Sequence, residues 1–224
     1  MAYKAYLGPY EDLTPLVGYL GGVTQITSGH GAPPPPEPIP GSIDIRAVDV
    51  AYGNPSPSFG NDWDTSFPVT TSEQLRVVGF RFQVNIPPDA TILSATLTAY
   101  QAQNATWSAA DVRMLGAERV EDASQPTSWS NMELRYLNVG AEHLWSNSGT
   151  INNGQPVPTG DISNIVQEMV NSTNIVIGSW ASGNHIMFWC RHPGNGGANH
   201  QWQSVVDRDP STQPRLQVEY EYLP

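Results

Sequence analysis

The feature that most constrains this chain is the strict alternation at its C-terminus. Leu216, Val218, Tyr220 and Tyr222 interleave with Arg215, Gln217, Glu219 and Glu221. Successive side chains of a strand point to opposite faces, so this pattern predicts a strand with one dry and one wet face. A sheet of that kind has to bury its apolar face against a second layer. The same period runs through Val78, Phe80, Phe82 and Val84 and, beyond Ile86-Pro87-Pro88-Asp89, through Leu93, Ala95, Leu97 and Ala99. Two half-buried strands joined as an antiparallel pair are the expectation there. Ile43 to Tyr52, Asp111 to Val120 and His185 to Cys190 add further strands, the last apolar on both faces and therefore central.

One segment departs from this period. In Asp161-Ile-Ser-Asn-Ile-Val-Gln-Glu-Met-Val-Asn171 the residues Ile162, Ile165, Val166, Met169 and Val170 share a face at helical spacing, and Asp161 is placed to accept from the first backbone amides. The expected fold is therefore all-β: an antiparallel, jelly-roll-like β-sandwich with one short helix at about residues 161–171 packed across an end or an opening. An extended N-terminal arm precedes it. With 224 residues the chain is long enough to bury a full core in one β-domain.

The first 42 residues differ in character. Tyr3, Tyr6, Leu7, Tyr10, Leu13, Leu16, Tyr19 and Leu20 supply apolar anchors, while Pro9, Pro15 and repeated glycines interrupt any long helix or strand. Ala32-Pro-Pro-Pro-Pro-Glu-Pro-Ile-Pro40 follows, and stacked prolines favour a stiff polyproline spacer of about 3 Å per residue. The division expected is an anchoring arm at 1–31, a proline-rich linker at 32–42 and a β-sandwich at 43–224.

Ten basic against twenty-one acidic residues give a net charge of −11, which opposes binding to a phosphate backbone. Nucleic acid is thus not an expected partner. No run reaches the length of a membrane span, and Met1 to Tyr10 has neither the basic cluster nor the apolar stretch of a secretion signal. The lone Cys190, inside Ile-Met-Phe-Trp-Cys, reads as a buried, inert thiol.

The ordered series Ala47-Val-Asp49, Asn54 to Gly60, Val78-Gly-Phe-Arg-Phe82, Ile86-Pro-Pro-Asp-Ala-Thr-Ile92, Ser94-Ala-Thr-Leu97, Asp161 to Glu168, Gly183-Asn184 and Pro214-Arg-Leu-Gln-Val-Glu-Tyr220 resembles the DNRLRE-type jelly-roll domain. That family is similar to the disaggregatase-related carbohydrate-binding modules. The resemblance covers residues 43–224 and implies the fold, since the matched positions read as turns, strands and a helix. Such domains are usually appendages of secreted or surface proteins, and related modules bind acidic polysaccharides.

Candidate chemistry is sparse. Asp62 and Asp64, two residues apart in Asn61-Asp-Trp-Asp64, offer carboxylates to a calcium ion, although the twelve-residue calcium loop is absent; no other cofactor is expected. His143, His185, His192 and His200 are the histidines available as metal ligands, but the eight-residue separation of His192 and His200 across a glycine-rich loop matches no zinc spacing and reads as a surface loop. If a glycan is bound, Trp202 with His200 and Asn199, and Trp63 beside Asp62 and Asp64, are the expected platforms. Trp189 reads as buried, whereas Trp107, Trp129, Trp145 and Trp202 lie in polar surroundings that suggest exposure. No nucleophile elbow, zinc-protease pair or phosphate loop occurs, so no catalytic residue is assigned.

A sticky arm, a spacer and a sandwich built like an extracellular module, without an export signal, fit a protein assembled in a host cytoplasm and displayed outside. The expectation is a non-enzymatic structural protein of a bacteriophage particle, a capsid decoration, fibre, collar or tail component. Residues 1–42 would bind other virion proteins, with a homotrimer and a host surface glycan as further expected contacts. The alternatives are a carbohydrate-binding module and, third, a polysaccharide-degrading enzyme.

Overall fold

The computed structural model describes residues 35–53, 59–61, 67–69, 77–101, 104–107, 112–171, 178–191, 200–202 and 210–224. In chain order the elements are β1 (Ile39–Arg46), β2 (Asp49–Gly53), β3 (Phe59–Asn61), β4 (Phe67–Val69), β5 (Val77–Gln83), β6 (Thr91–Tyr100), β7 (Ala105–Trp107) and β8 (Arg113–Glu118). Helix α1 (Trp129–Tyr136), β9 (Val139–Trp145), β10 (Gly149–Ile151), β11 (Pro156–Pro158), helix α2 (Ser163–Val170), β12 (His185–Arg191), β13 (His200–Trp202) and β14 (Arg215–Tyr222) follow. A four-stranded sheet runs β1-β14-β6-β11 and a six-stranded sheet β3-β2-β5-β12-β8-β9; β10 pairs with β7, and β13 with β4. Every pairing among the described residues is antiparallel.

The two large sheets share one core. Leu97, Ala99, Leu216 and Val218 from the four-stranded sheet pack in the same cluster as Phe80, Phe82, Leu115, Ile186, Phe188 and Cys190 from the six-stranded sheet. This is the sandwich that the alternating strands predict: Leu216, Val218 and Tyr220 are buried and Gln217 and Glu219 are exposed. β12 lies between β5 and β8 with Ile186 to Cys190 all buried, as its two apolar faces require. Phe82 and Phe188 meet edge-on, ring centroids 5.9 Å apart.

Around the Pro87-Pro88 turn the structure departs from the alternating pattern in two ways. The strands on either side of Ile86-Pro87-Pro88-Asp89 do not pair; β5 belongs to the six-stranded sheet and β6 to the four-stranded one. Two adjacent prolines remove two backbone donors, which favours a crossing between layers over a hairpin ladder. Trp180 fixes the crossing by donating from Nε1 to the Ile86 carbonyl at 2.9 Å. Leu93, moreover, is 54% exposed. Glu219 lies opposite Ser94 but Tyr220 lies opposite Ile92, so Leu93 is an extra residue in β6, and the bulge turns Ile92 inward and Leu93 outward.

Helix α2 forms where its spacing predicts and buries Ile165, Val166, Met169 and Val170. Asp161 lies just ahead of it and accepts from the Ser163 amide at 3.0 Å. A second helix, α1, has no counterpart in the sequence reading. Ser128 caps it by accepting from Asn131 N at 3.1 Å, and Met132 and Tyr136 pack with Ala51, Val77, Met187 and Trp189 in a smaller cluster on the outer face of the six-stranded sheet. That outer layer explains why Val77 is as buried as Phe80. Residues 39–42, read as the end of the linker, are the first half of β1. Pro40 is tolerated because β1 is an edge strand.

Candidate functional site

The site residues expected from the sequence fall mostly outside the described residues: Asp62, Trp63, Asp64, Asn199 and the arm residues from Tyr3 to Leu20 all do. His200 and Trp202 are the exceptions. They are the ends of β13, whose register on β4 sets His200 opposite Val69, Gln201 opposite Pro68 and Trp202 opposite Phe67. Only Thr65 and Ser66 separate Asp64 from β4 in the sequence. The β4–β13 ribbon therefore joins the segment that follows one proposed glycan cluster to the segment that carries the other, from opposite halves of the chain. Spacing along the sequence holds no trace of this pairing, because it depends on a long-range ladder.

Other candidates turn out to be structural. Trp145, expected to be exposed, is fully buried and donates from Nε1 to Pro158 O at 3.0 Å. A buried indole needs such an acceptor, and β9 turns this one inward against β11. Trp180 and Trp189 are also buried. His143 Nε2 donates to Thr159 O at 2.7 Å, whereas His185 Nδ1 lies 2.8 Å from Asp122 Oδ1, so each histidine has its own partner. Among the described residues no three His, Cys, Asp or Glu side chains converge to hold a metal ion. Cys190 is buried, and desolvation pushes its thiol up to about 12 against the opposing charge of Arg113, which leaves it protonated and unreactive.

The charged side chains tie layers together. Glu118 and Arg135 join β8 to α1, and the guanidinium lies 5.5 Å from the centroid of the Trp189 ring. Arg81 of β5 pairs with Asp49 of β2 and donates from Nε to Ala123 O at 2.6 Å. Asp122 also accepts from the His185 amide at 2.8 Å. Burial acts to raise the Asp122 carboxyl, but the hydrogen bonds from the His185 amide and ring, with the charges of His185 and Arg81, outweigh it and hold it below its ordinary value.

The segment Thr159 to Gln167 serves the edge of β6 beyond the short ladder with β11. Thr159 N donates to Leu97 O at 2.9 Å and Ile162 N to Ala95 O at 2.8 Å. Thr159 Oγ1 accepts from Leu97 N at 3.2 Å and Asp161 Oδ1 from Ala95 N at 3.1 Å. Gln167 finishes the edge at the bulge: its Oε1 accepts from Ile92 N at 2.8 Å and its Nε2 donates to Ala90 O at 2.9 Å. The polar side chains of Thr159, Asp161 and Gln167 thus satisfy backbone groups of β6 and of the residue before it. On the facing sheet Glu168 accepts from Ala141 N of β9 and pairs with Arg119 at 3.2 Å, so α2 closes one side of the sandwich. Comparison with protein-family models finds none that matches this chain, and a search of curated proteins finds no match either.

Proposed function

We propose that this chain is a non-enzymatic structural protein of a bacteriophage particle, bound to other virion proteins through its N-terminal arm and displaying the sandwich outward as a decoration, fibre, collar or tail component. The observation that carries this reading is the junction. Pro36, Glu37 and Pro38 are exposed and enter the sandwich at Ile39 on β1, an edge strand. A stiff, solvated proline run attached to a sheet edge suits a spacer between a body and an anchor. The aromatic and leucine content of residues 1–31 gives that anchor an apolar surface to bury on a partner. The test is removal of residues 1–34 in particles produced in infected cells. The truncated chain is expected to keep the near-ultraviolet circular dichroism of the full chain and to be absent from purified particles. Incorporation equal to that of the full chain overturns the reading.

A second reading, carbohydrate binding, is favoured by the β4–β13 ribbon, which sets residue 202 opposite residue 67, three positions beyond Asp64 in the sequence. Aromatic-rich ribbons beside carboxylates suit sugar rings, with calcium held by Asp62 and Asp64 as an optional part. A glycan that quenches tryptophan emission of the full chain, and fails to do so after Trp202→Ala and Trp63→Ala, would support it.

A further inference from the structure

We infer that a shallow cleft between β1, β5 and β14 is a receptor for a carboxylate group, anchored by Arg46. The cleft measures about 470 Å³, and its walls include Asp44, Arg46, Val48, Gln83, Asn85 and Arg215. Its electrostatics follow from the strand register. Arg46 of β1 and Arg215 of β14 are direct cross-strand partners, and like charges so placed repel. Asp44, two residues earlier in β1, relieves only one of them. One of its oxygens accepts from Arg215 Nε at 3.1 Å; the other accepts from Arg215 Nη2 and from Gln217 Nε2, the latter at 3.4 Å. Both carboxylate oxygens are therefore engaged on the β14 side.

Arg46 is exposed and has no ion pair among the described residues. In a chain with ten basic and twenty-one acidic residues, a guanidinium left over beside a second guanidinium is an unusual local excess of positive charge. The planar fork of Arg46 suits a carboxylate, to which it can present two parallel N–H donors. Gln83 and Asn85, both exposed, also line the cleft. Gln83 donates from Nε2 to Gly183 O at 3.2 Å, which orients the amide and leaves its carbonyl oxygen to accept from a ligand. Val48, 41% exposed, adds an apolar patch. One cationic fork, two amides and a small apolar wall select a hydroxylated carboxylate: the acid on Arg46, hydroxyls on Gln83 and Asn85, carbon on Val48. This inference is independent of the role of the arm.

The experiment is a titration of the ¹⁵N-labelled full chain with D-gluconate and, separately, with D-sorbitol at the same ionic strength, reading the Arg46 Nε–Hε signal and the side-chain amides of Gln83 and Asn85. Saturable shifts at all three with gluconate and none with sorbitol are expected. Arg46→Gln, an exposed position, is expected to keep the backbone spectrum and to weaken binding about tenfold or more through loss of the charge-assisted pair. Asp44→Asn, which removes the competing carboxylate, is expected to tighten it. Equal shifts with sorbitol, no saturation with gluconate, or unchanged affinity in a folded Arg46→Gln variant would overturn the assignment.

Discussion

Arg135 holds Glu118 in the most enclosed ion pair among the described residues, with Nη2 2.7 Å from Oε2 and the two side chains 10% and 5% exposed. Its Nε lies 2.9 Å from each carboxylate oxygen, and Nη2 also donates to Ser124 O at 2.7 Å. One guanidinium thus clamps α1, the segment before it and β8 to the outer face of the six-stranded sheet. Glu118→Ala would leave that guanidinium enclosed without its counter-ion, and breaking one side of such a pair costs about 3 kcal/mol. Urea unfolding should show that loss, whereas Glu118→Gln, which keeps an acceptor, should lose less.

Gly41 and Tyr220 test the β1–β14 register. They are cross-strand partners, and a Cβ on residue 41 would run into the Tyr220 ring. Gly41→Ala is expected to destabilise by about 1–3 kcal/mol through overpacking. Combining it with Tyr220→Leu should restore part of the loss, and a double-mutant cycle by thermal unfolding would measure the coupling. Additive effects would contradict the close approach.

Gln167 is the test of the edge-satisfying role of the Asp161–Glu168 segment. Gln167→Leu keeps the helix but leaves Ile92 N and Ala90 O without their side-chain partner, at a cost of about 1–3 kcal/mol. Hydrogen exchange should speed up at the Ile92 amide before it does at Leu97, where Thr159 still serves the edge.

Asp161 gives the fold an acid-side dependence. Burial acts to raise its carboxyl, but hydrogen bonds from the Ala95 and Ser163 amides and the Ser163 hydroxyl, with the charge of His143, hold it below its ordinary value. Since the folded value is the lower one, this contribution is present above the unfolded value of about 3.9 and is lost as pH falls through the folded value. Urea midpoints measured from pH 6 down to pH 2.5 should fall at the acid end, and Asp161→Asn should flatten that fall.

What the sequence determined on its own are the elements whose pattern is complete within one segment. β14 alternates cleanly, β12 is apolar on both faces, and α2 carries an apolar stripe at helical spacing; each takes the form its pattern requires. Local periodicity suffices there because the side chains of a single segment decide which faces are dry. The same holds for Cys190, whose apolar neighbours already mark it as inert.

Tertiary structure decided the rest, since those features depend on which distant backbone lies alongside. Nothing local separates Leu93 from its neighbours; its exposure comes from one residue inserted against β14. The alternation in Val78 to Ala99 does not by itself place β5 and β6 in different sheets, because a hairpin and a crossing both bury alternate residues. Helix α1 is short and depends on Glu118 and Trp189 from other strands. The meeting of residues 67 and 202 in one ribbon and the Arg46–Arg215 opposition are likewise products of strand register, which a chain acquires only when its sheets assemble.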